Sequence, residues 1–147
     1  LTLHELRDLV KERVVGRSMT TMAILFESFG FKHGIPVNAD LVFDARCLPN
    51  PHWKPNLRPL TGKDQDVIDF LEAEDAVNEM YQDIEQYMTR WLPRYQANNR
   101  SYITIAVGCT GGQHRSVYLS ERLKAHFDGQ YSDVQVRHRD INKHKKN

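Results

Sequence analysis

Apolar and polar positions alternate along the first half of the chain in ways that indicate helices and strands in turn. Residues 3–14 carry apolar side chains at helical spacing, and residues 20–29 form an apolar run typical of a buried strand. Residues 40–47 predict a second short strand. Four prolines between positions 49 and 59 then exclude a helix or a central strand and favour an ordered or extended loop, which we call the proline loop.

The second half continues this alternation. From about residue 64 the pattern is helical, with one apolar stripe that indicates a long helix. The stripe consists of Val77, Met80, Tyr81, Ile84, Met88, Trp91 and Tyr95. Residues 101–107 are rich in β-branched side chains and predict a buried strand, which a tight turn over 108–112 joins to a helix over 114–127. Residues 131–138 alternate and predict an edge strand. This order favours one α/β domain: a small, mostly parallel sheet flanked by helices.

Composition changes this picture mainly through the placement of charge. The 147 residues are 40% hydrophobic and 27% charged, which are globular values, and no apolar run approaches the roughly 20 residues that span a bilayer. The net charge is +1, but residues 137–147 hold five lysines and arginines against Asp140 alone, a sum of +4. Residues 1–136 therefore sum to −3. We assign 1–136 to the domain body and 137–147 to its basic end, which suits an acidic partner such as nucleic acid.

The chain has two cysteines, Cys47 and Cys109. They are too few for a disulfide framework or a zinc site, so no metal site is expected. We expect Cys47 to be an inert, buried thiol. With no signal-peptide pattern at the start of the chain, a reducing cytoplasm is the expected location.

Residues 108–116, GCTGGQHRS, form a segment that we call the glycine turn. Ligands of open α/β sheets bind beyond the carboxyl ends of the strands, where this segment is expected. Its three glycines can aim several N–H groups into one concavity, and the following helix adds its positive N-terminal end. The combination predicts an anion pocket suited to phosphate, with side-chain donors on Thr110, His114, Arg115 and Ser116. The alternative is a plain connection between strand and helix.

Part of the glycine turn also matches the spacing C-x-x-G-x-x-R-S, through Cys109, Gly112, Arg115 and Ser116. This spacing resembles the phosphate loop of cysteine-dependent phosphatases. The resemblance implies a thiolate that attacks phosphorus while loop amides and an arginine hold the oxyanions. The chain departs from that family at Gly108, where a histidine is usual. The general-acid loop is not recognisable, although Asp44 is a candidate for that role.

A second resemblance covers most of the chain. Its blocks are FESFGFKHG (26–34), FDAR (43–46), LPNPHW (48–53), NNRS (98–101) and GCTGGQHRSV (108–117). In this order they closely resemble the C-terminal domain of the RapZ family, RNase adapter proteins of the YvcJ-like nucleotide-binding group. Members of that family carry a P-loop NTPase domain before this region. No G-x-x-x-x-G-K-[ST] motif occurs in the 147 residues, so ATP or GTP is expected only in a domain outside them.

The resemblance implies a non-enzymatic adapter domain that senses glucosamine-6-phosphate, with no cofactor. Its implied partners are small regulatory RNA, ribonuclease E to which that RNA is presented, and further copies of the chain. The copies are expected to form a dimer of this domain and a tetramer of the whole protein. The implied ligand-binding residues are Asp44, Arg46, His52, Cys109, Thr110, Gly111, Gly112, Gln113, His114, Arg115 and Ser116. The alternatives are an Asp44–Arg46 ion pair, a His52 that only packs, and a Cys109 that offers only its N–H.

RNA contact is expected from basic and aromatic side chains, because phosphate neutralisation gives salt-sensitive affinity and aromatic faces stack on bases. The candidates are Lys32, His33, His52, Arg58, Tyr102, Arg137, Arg139, Lys143, His144, Lys145 and Lys146. Two alternatives remain open here: a solvated basic end without a partner, and a Tyr102 buried in its strand. A further alternative function is an oligomerisation domain with the Trp91 stripe at the dimer interface.

Overall fold

The structure is a computed structural model, and it describes residues 22–143. The strands are β1 (Ala23–Gly30), β2 (Leu41–Asp44), β3 (Tyr102–Cys109) and β4 (Asp133–His138), and the helices are α1 (Gln65–Glu72), α2 (Asp75–Ala97) and α3 (Arg115–Phe127). Two short 3-10 helices, Phe31–His33 and Pro51–Trp53, lie in the connections. The second lies in the proline loop, where the four prolines were expected to exclude a helix. Pro51 is tolerated there because it stands in the first turn, where its missing N–H is not needed. The helix predicted over 3–14 lies outside the described residues, as do His144, Lys145 and Lys146.

The four strands form one sheet in the order β2-β3-β1-β4, and every pairing in it is parallel. This confirms the predicted α/β fold, and β4 occupies an edge of the sheet. Parallel pairing brings the carboxyl ends of the strands to one side. There Gly30 pairs with Cys109, Asp44 with Gly108, and Ser28 with His138. The segments that follow these residues are therefore neighbours in space.

The helices pack against the face of the sheet that carries Ile24, Phe26, Ile103 and Ile105, all of which are buried. Alternation along each strand places these side chains on one face. The long helix was predicted as a single element from about residue 64. The structure instead has two helices, because Glu74 takes an extended backbone conformation between α1 and α2.

Along α2 the buried side chains are Val77, Tyr81, Ile84, Met88 and Leu92. The predicted stripe ended on Trp91 and Tyr95, which are only half-buried at its flank. Leu92 takes the buried position instead, because steps of four residues from Ile84 keep a side chain on the same helix face. Most of the predicted stripe is thus in the core.

Strand β2 is shorter than the predicted 40–47. The Asp44 carboxylate accepts a hydrogen bond from the Arg46 backbone N–H at 2.9 Å, which turns the chain away from the sheet. Cys47 consequently lies in this turn and is exposed, so the expectation of a buried thiol was wrong. Strand β3 in turn is longer than predicted and includes Gly108. A Cβ on Gly108 would lie 2.4 Å from the Phe29 ring, so the glycine is required by packing rather than by a turn.

Candidate functional site

The glycine turn lies between β3 and α3, at the side of the sheet where the strands end. Gly112 has φ of 77°, a conformation that side chains disfavour, and a Cβ there would lie 2.6 Å from the Gly30 nitrogen. A Cβ on Gly30 would in turn lie 2.5 Å from the carbonyl carbon of Gly111. The end of β1 and the glycine turn are therefore packed backbone against backbone, and glycine is the residue that allows it.

A cavity of about 510 Å³ opens above this turn, and we call it the basic cavity. From the glycine turn it is lined by Cys109, Thr110, Gly111, Gln113, His114 and Arg115. From the facing connections it is lined by Lys32, Asn50, His52, Arg58 and Pro59. This volume is in the range of small-molecule sites. No carboxylate is among these lining residues, so the cavity favours an anion.

Arg115 is buried at the cavity wall, only 3% exposed. One guanidinium nitrogen donates to the carbonyl oxygens of Arg46 and Leu48, at 2.8 and 2.9 Å. The other lies 3.5 Å from the Thr110 hydroxyl. The Nε has no partner among the described residues. Through its two carbonyl contacts, Arg115 fastens the segment after β2 to the turn.

His114 and Gln113 connect the glycine turn to the proline loop. His114 Nε2 lies 3.0 Å from the Leu57 carbonyl oxygen, which can only accept, so this nitrogen carries the proton. Burial lowers the pKa of His114, and the side chain is therefore neutral at pH 7. The Gln113 amide donates to the carbonyl oxygens of Arg58 and Leu60. These contacts hold the far wall of the cavity in place.

Cys109 and Ser116 lie at the base of the turn, and both are buried. The Cys109 thiol donates to the Ser116 hydroxyl oxygen at 3.1 Å, and the Ser116 backbone N–H lies 3.5 Å from the same sulfur. The structure thus brings together the first and last side chains of the phosphatase-like spacing.

Asp44 and Arg46 form a two-pronged ion pair, with N–O distances of 2.9 and 2.6 Å. Both side chains are about half exposed. The hydrogen bond from Arg46 lowers the pKa of Asp44, and the Arg46 guanidinium also lies 3.8 Å from the centre of the Phe31 ring. The two residues do not line the basic cavity. They adjoin it through Arg115, which binds the Arg46 carbonyl oxygen.

The residues expected to contact RNA fall into separate places. Lys32, His52 and Arg58 line the basic cavity and are exposed there. His33 is exposed beside Lys32. Tyr102 is half exposed at the start of β3, the opposite end of the strand from the glycine turn. It lines a different groove, of about 420 Å³, together with Arg137.

The described cations of the basic end are paired with carboxylates. Arg137 contacts the buried Glu27 at 2.6 Å. Arg139 and Lys143 both contact the buried Asp140, at 2.8 and 2.7 Å. The sequence analysis assigned no role to Asp140. Its position as the one acidic residue among five cations in 137–147 could have indicated that it pairs with them. Asn50 and Pro59 were missed as cavity residues because contacts between the proline loop and the turn are not visible in sequence.

The described residues give no sign of a metal centre or a membrane segment. No group of three histidine, cysteine, aspartate or glutamate side chains within residues 22–143 is placed to hold a metal ion. No helix in the same range has the length and apolar character needed to cross a bilayer.

Fold and site together define the class: a small parallel α/β domain whose glycine turn faces a basic cavity. A family model of the RapZ C-terminal domain matches residues 22–142. The chain therefore belongs to the RapZ C-terminal domain family.

Bacterial relatives of the chain are each named nucleotide-binding protein. The one from Cellvibrio japonicus is 82% identical over 146 residues, which cover 99% of this chain and 49% of the relative. Those from Ectopseudomonas mendocina and Nitrosococcus oceani are 59% and 55% identical, over 96% and 95% of this chain and 50% of each relative. The chain thus spans about half the length of the curated relatives that it matches.

Proposed function

We propose that this chain is a non-enzymatic, RNA-binding adapter domain that senses glucosamine-6-phosphate in the basic cavity. The observation that carries the proposal is the lining of that cavity. Lys32 and Arg58 line it together with Arg115 and other residues of the glycine turn, and no carboxylate is among the lining residues. Membership in the RapZ C-terminal domain family supports the adapter role.

The phosphate of the ligand would lie against the glycine turn. Backbone N–H groups of the turn, the Thr110 hydroxyl and the ammonium of Lys32 can share its two charges. Lys32 is well placed, because its Nζ would lie 4.0 Å from a Cβ added to Gly111. The sugar would face the proline loop, where Asn50 and His52 offer polar contacts. Asp44 adjoins the cavity without lining it and is ion-paired with Arg46, so the ammonium group of the sugar would share the Asp44 carboxylate with Arg46.

RNA would be held mainly through its phosphates, by exposed cations around the cavity mouth and by the basic end. We further propose that the RNA is a small regulatory RNA presented to ribonuclease E. The protein would act in the cytoplasm as a homo-oligomer, with a dimer of this domain and a tetramer of the whole protein. Any ATP or GTP would bind to a part of the protein beyond these 147 residues.

Gly111→Ala tests the ligand site. A Cβ on Gly111 meets nothing closer than 3.9 Å, so the variant should fold, yet its methyl group enters the cavity beside Lys32. We expect titration calorimetry to show glucosamine-6-phosphate binding that the variant weakens severalfold, with an unchanged melting temperature.

Gly129→Ala is the matched control, because a Cβ there meets nothing within 4 Å and the residue lies outside the cavity. It should bind like the unaltered protein. Glucose-6-phosphate, tested alongside, separates recognition of the phosphate from recognition of the amino group. Absence of binding by the unaltered protein would remove the sensor half of the proposal.

A cysteine phosphatase is the second candidate, favoured by the 3.1 Å contact between Cys109 and Ser116. A hydroxyl so placed can stabilise a thiolate leaving group. Against it, the candidate acid Asp44 is ion-paired and its pKa is lowered, which makes it a poor proton donor. Hydrolysis of p-nitrophenyl phosphate that Cys109→Ser abolishes would establish this activity. We expect no Cys109-dependent turnover.

A further inference from the structure

Asp140 is a buried carboxylate that no part of the proposed function uses. Its side chain is fully buried, two residues after the end of β4. It accepts a hydrogen bond from the Gly30 backbone N–H at 2.8 Å. It also contacts Arg139 at 2.8 Å and Lys143 at 2.7 Å. One side chain thus binds the end of β1 and two cations of the basic end.

The same side chain lies directly behind the glycine turn. A Cβ on Gly112 would lie 3.0 Å from the Asp140 Cβ. Gly30, whose N–H the carboxylate binds, is packed against the carbonyl carbon of Gly111. The turn backbone is therefore packed close to Asp140 at Gly112, and it is linked to the carboxylate through Gly30, so a movement of the turn can reach Asp140 by both routes.

The basic end is attached at this point by more than the carboxylate. The Arg139 backbone N–H donates to the Ser28 carbonyl oxygen at 3.1 Å, which extends the contact between β4 and β1. Its guanidinium also donates to the Gly34 carbonyl oxygen at 2.6 Å. Arg139 therefore bridges Asp140 and the connection that carries Lys32, a residue of the basic cavity.

We propose that Asp140 is a positioning residue that couples the glycine turn to the basic end, so that an anion bound in the turn changes the RNA contacts of residues 139–143. The coupling rests on the proposed phosphate site. Its physical basis is that a buried carboxylate is costly to leave without its donors. When the turn backbone adjusts to a phosphate, Asp140 and its two cations must adjust with it.

Hydrogen–deuterium exchange of the full-length protein tests the coupling directly. Inorganic phosphate and glucosamine-6-phosphate are added in turn, and exchange is followed in peptides from the glycine turn and from residues 137–143. We expect slower exchange in the turn together with altered exchange in the basic end. Protection of the turn alone would overturn the coupling and leave the proposed site intact. No protection anywhere would count against both.

Asp140→Asn separates positioning from simple charge neutralisation. The amide keeps an oxygen for the Gly30 N–H but loses the ion pairs. If Asp140 only neutralised Arg139 and Lys143, removing its charge would strengthen RNA binding. Positioning predicts the opposite: RNA binding weakens severalfold although the protein gains positive charge. It also predicts that phosphate no longer alters exchange in residues 137–143.

The matched control is Asp133→Asn, an exposed acid on the same β4 that does not contact the turn. It makes the same change in net charge, so we expect equal or tighter RNA binding and unchanged coupling. Tighter RNA binding by Asp140→Asn, measured at a temperature where circular dichroism shows the variant folded, would overturn the proposal. If Asp140→Asn does not fold, the exchange experiment on the unaltered protein still decides the matter.

Discussion

The carboxylate of Asp140 shows how opposing forces set the state of one buried side chain. Burial alone raises the pKa of Asp140, because a carboxylate loses its water. Hydrogen bonds from Arg139, the Gly30 N–H and Lys143 together outweigh that penalty, and the pKa falls to about 2 from its ordinary 3.8. The residue is therefore ionised at any physiological pH.

This lowered pKa predicts a pH-dependent contribution to stability. A depressed pKa stabilises the folded state above the unfolded value of 3.8, and the contribution is lost as pH falls through the folded value of about 2. We expect Asp140→Asn to cost about 2 kcal/mol of unfolding free energy at pH 7. The cost should shrink between pH 4 and pH 2 in urea titrations. A cost that is the same at pH 7 and pH 2.5 would contradict this account.

For single residues, the sequence predicted some features of the site and not others. The glycine turn was recognised from its residue types, since glycines before a helix start are typical of anion sites. The roles of the individual side chains in the turn could not be predicted from the sequence. Arg115 and His114 look alike in sequence as phosphate contacts, yet His114 is neutral and bound to the Leu57 carbonyl oxygen. Burial and partner contacts decide this, and they come from residues more than 50 positions away.

Helices and strands were predicted correctly where the period of the apolar positions and the length of the segment indicated the same element. Strands β1, β3 and β4 and helix α3 lie close to their predicted positions, because each has a clear apolar face. The break between α1 and α2 was missed, since the apolar pattern continues across it. The end of β3 was also missed, because glycine in sequence indicates a turn, whereas Gly108 makes room for the Phe29 ring.

Helix α2 allows a test of its buried face. Met88 is fully buried in the core, whereas its neighbour Tyr87 is 39% exposed and contacts the rings of Phe43 and Trp91. We expect Met88→Ala to lower the unfolding free energy by about 2–5 kcal/mol, through lost burial and a residual cavity. Tyr87→Ala should cost about 1 kcal/mol, the worth of its aromatic pairs. Chemical denaturation measures both. Equal costs would show that the face of α2 is wrongly assigned.

At the scale of the molecule, the fold divides the cations into two kinds. Lys32 and Arg58 face the basic cavity without a carboxylate partner among the described residues. The described cations of the basic end instead bind Glu27 or Asp140. A net charge of +1 describes neither group. In the proposed RNA binding, the unpaired cations should contribute most to affinity, because they lose no ion pair when they meet a phosphate.

This division predicts how the proposed RNA binding depends on salt. The double variant Lys32→Ala and Arg58→Ala should weaken binding and reduce the slope of log affinity against log salt by about 1.5, the release expected from two phosphate contacts. Filter binding at several salt concentrations measures the slope. The control is Lys63→Ala with Arg90→Ala, two exposed cations outside the cavity. An equal effect of both double variants would show non-specific attraction to net charge.

The sequence by itself determined the fold class, the order of most elements, the glycine turn and the resemblance to the RapZ family, because these depend on local period, turn chemistry and residue order. Only the tertiary structure decided what meets at the turn. Parallel pairing brings Gly30, Cys109 and the end of β4 to one side of the sheet. The proline loop then closes one wall of the basic cavity, and Asp140 packs behind the turn. Such contacts join residues up to 110 positions apart, and no local pattern encodes them.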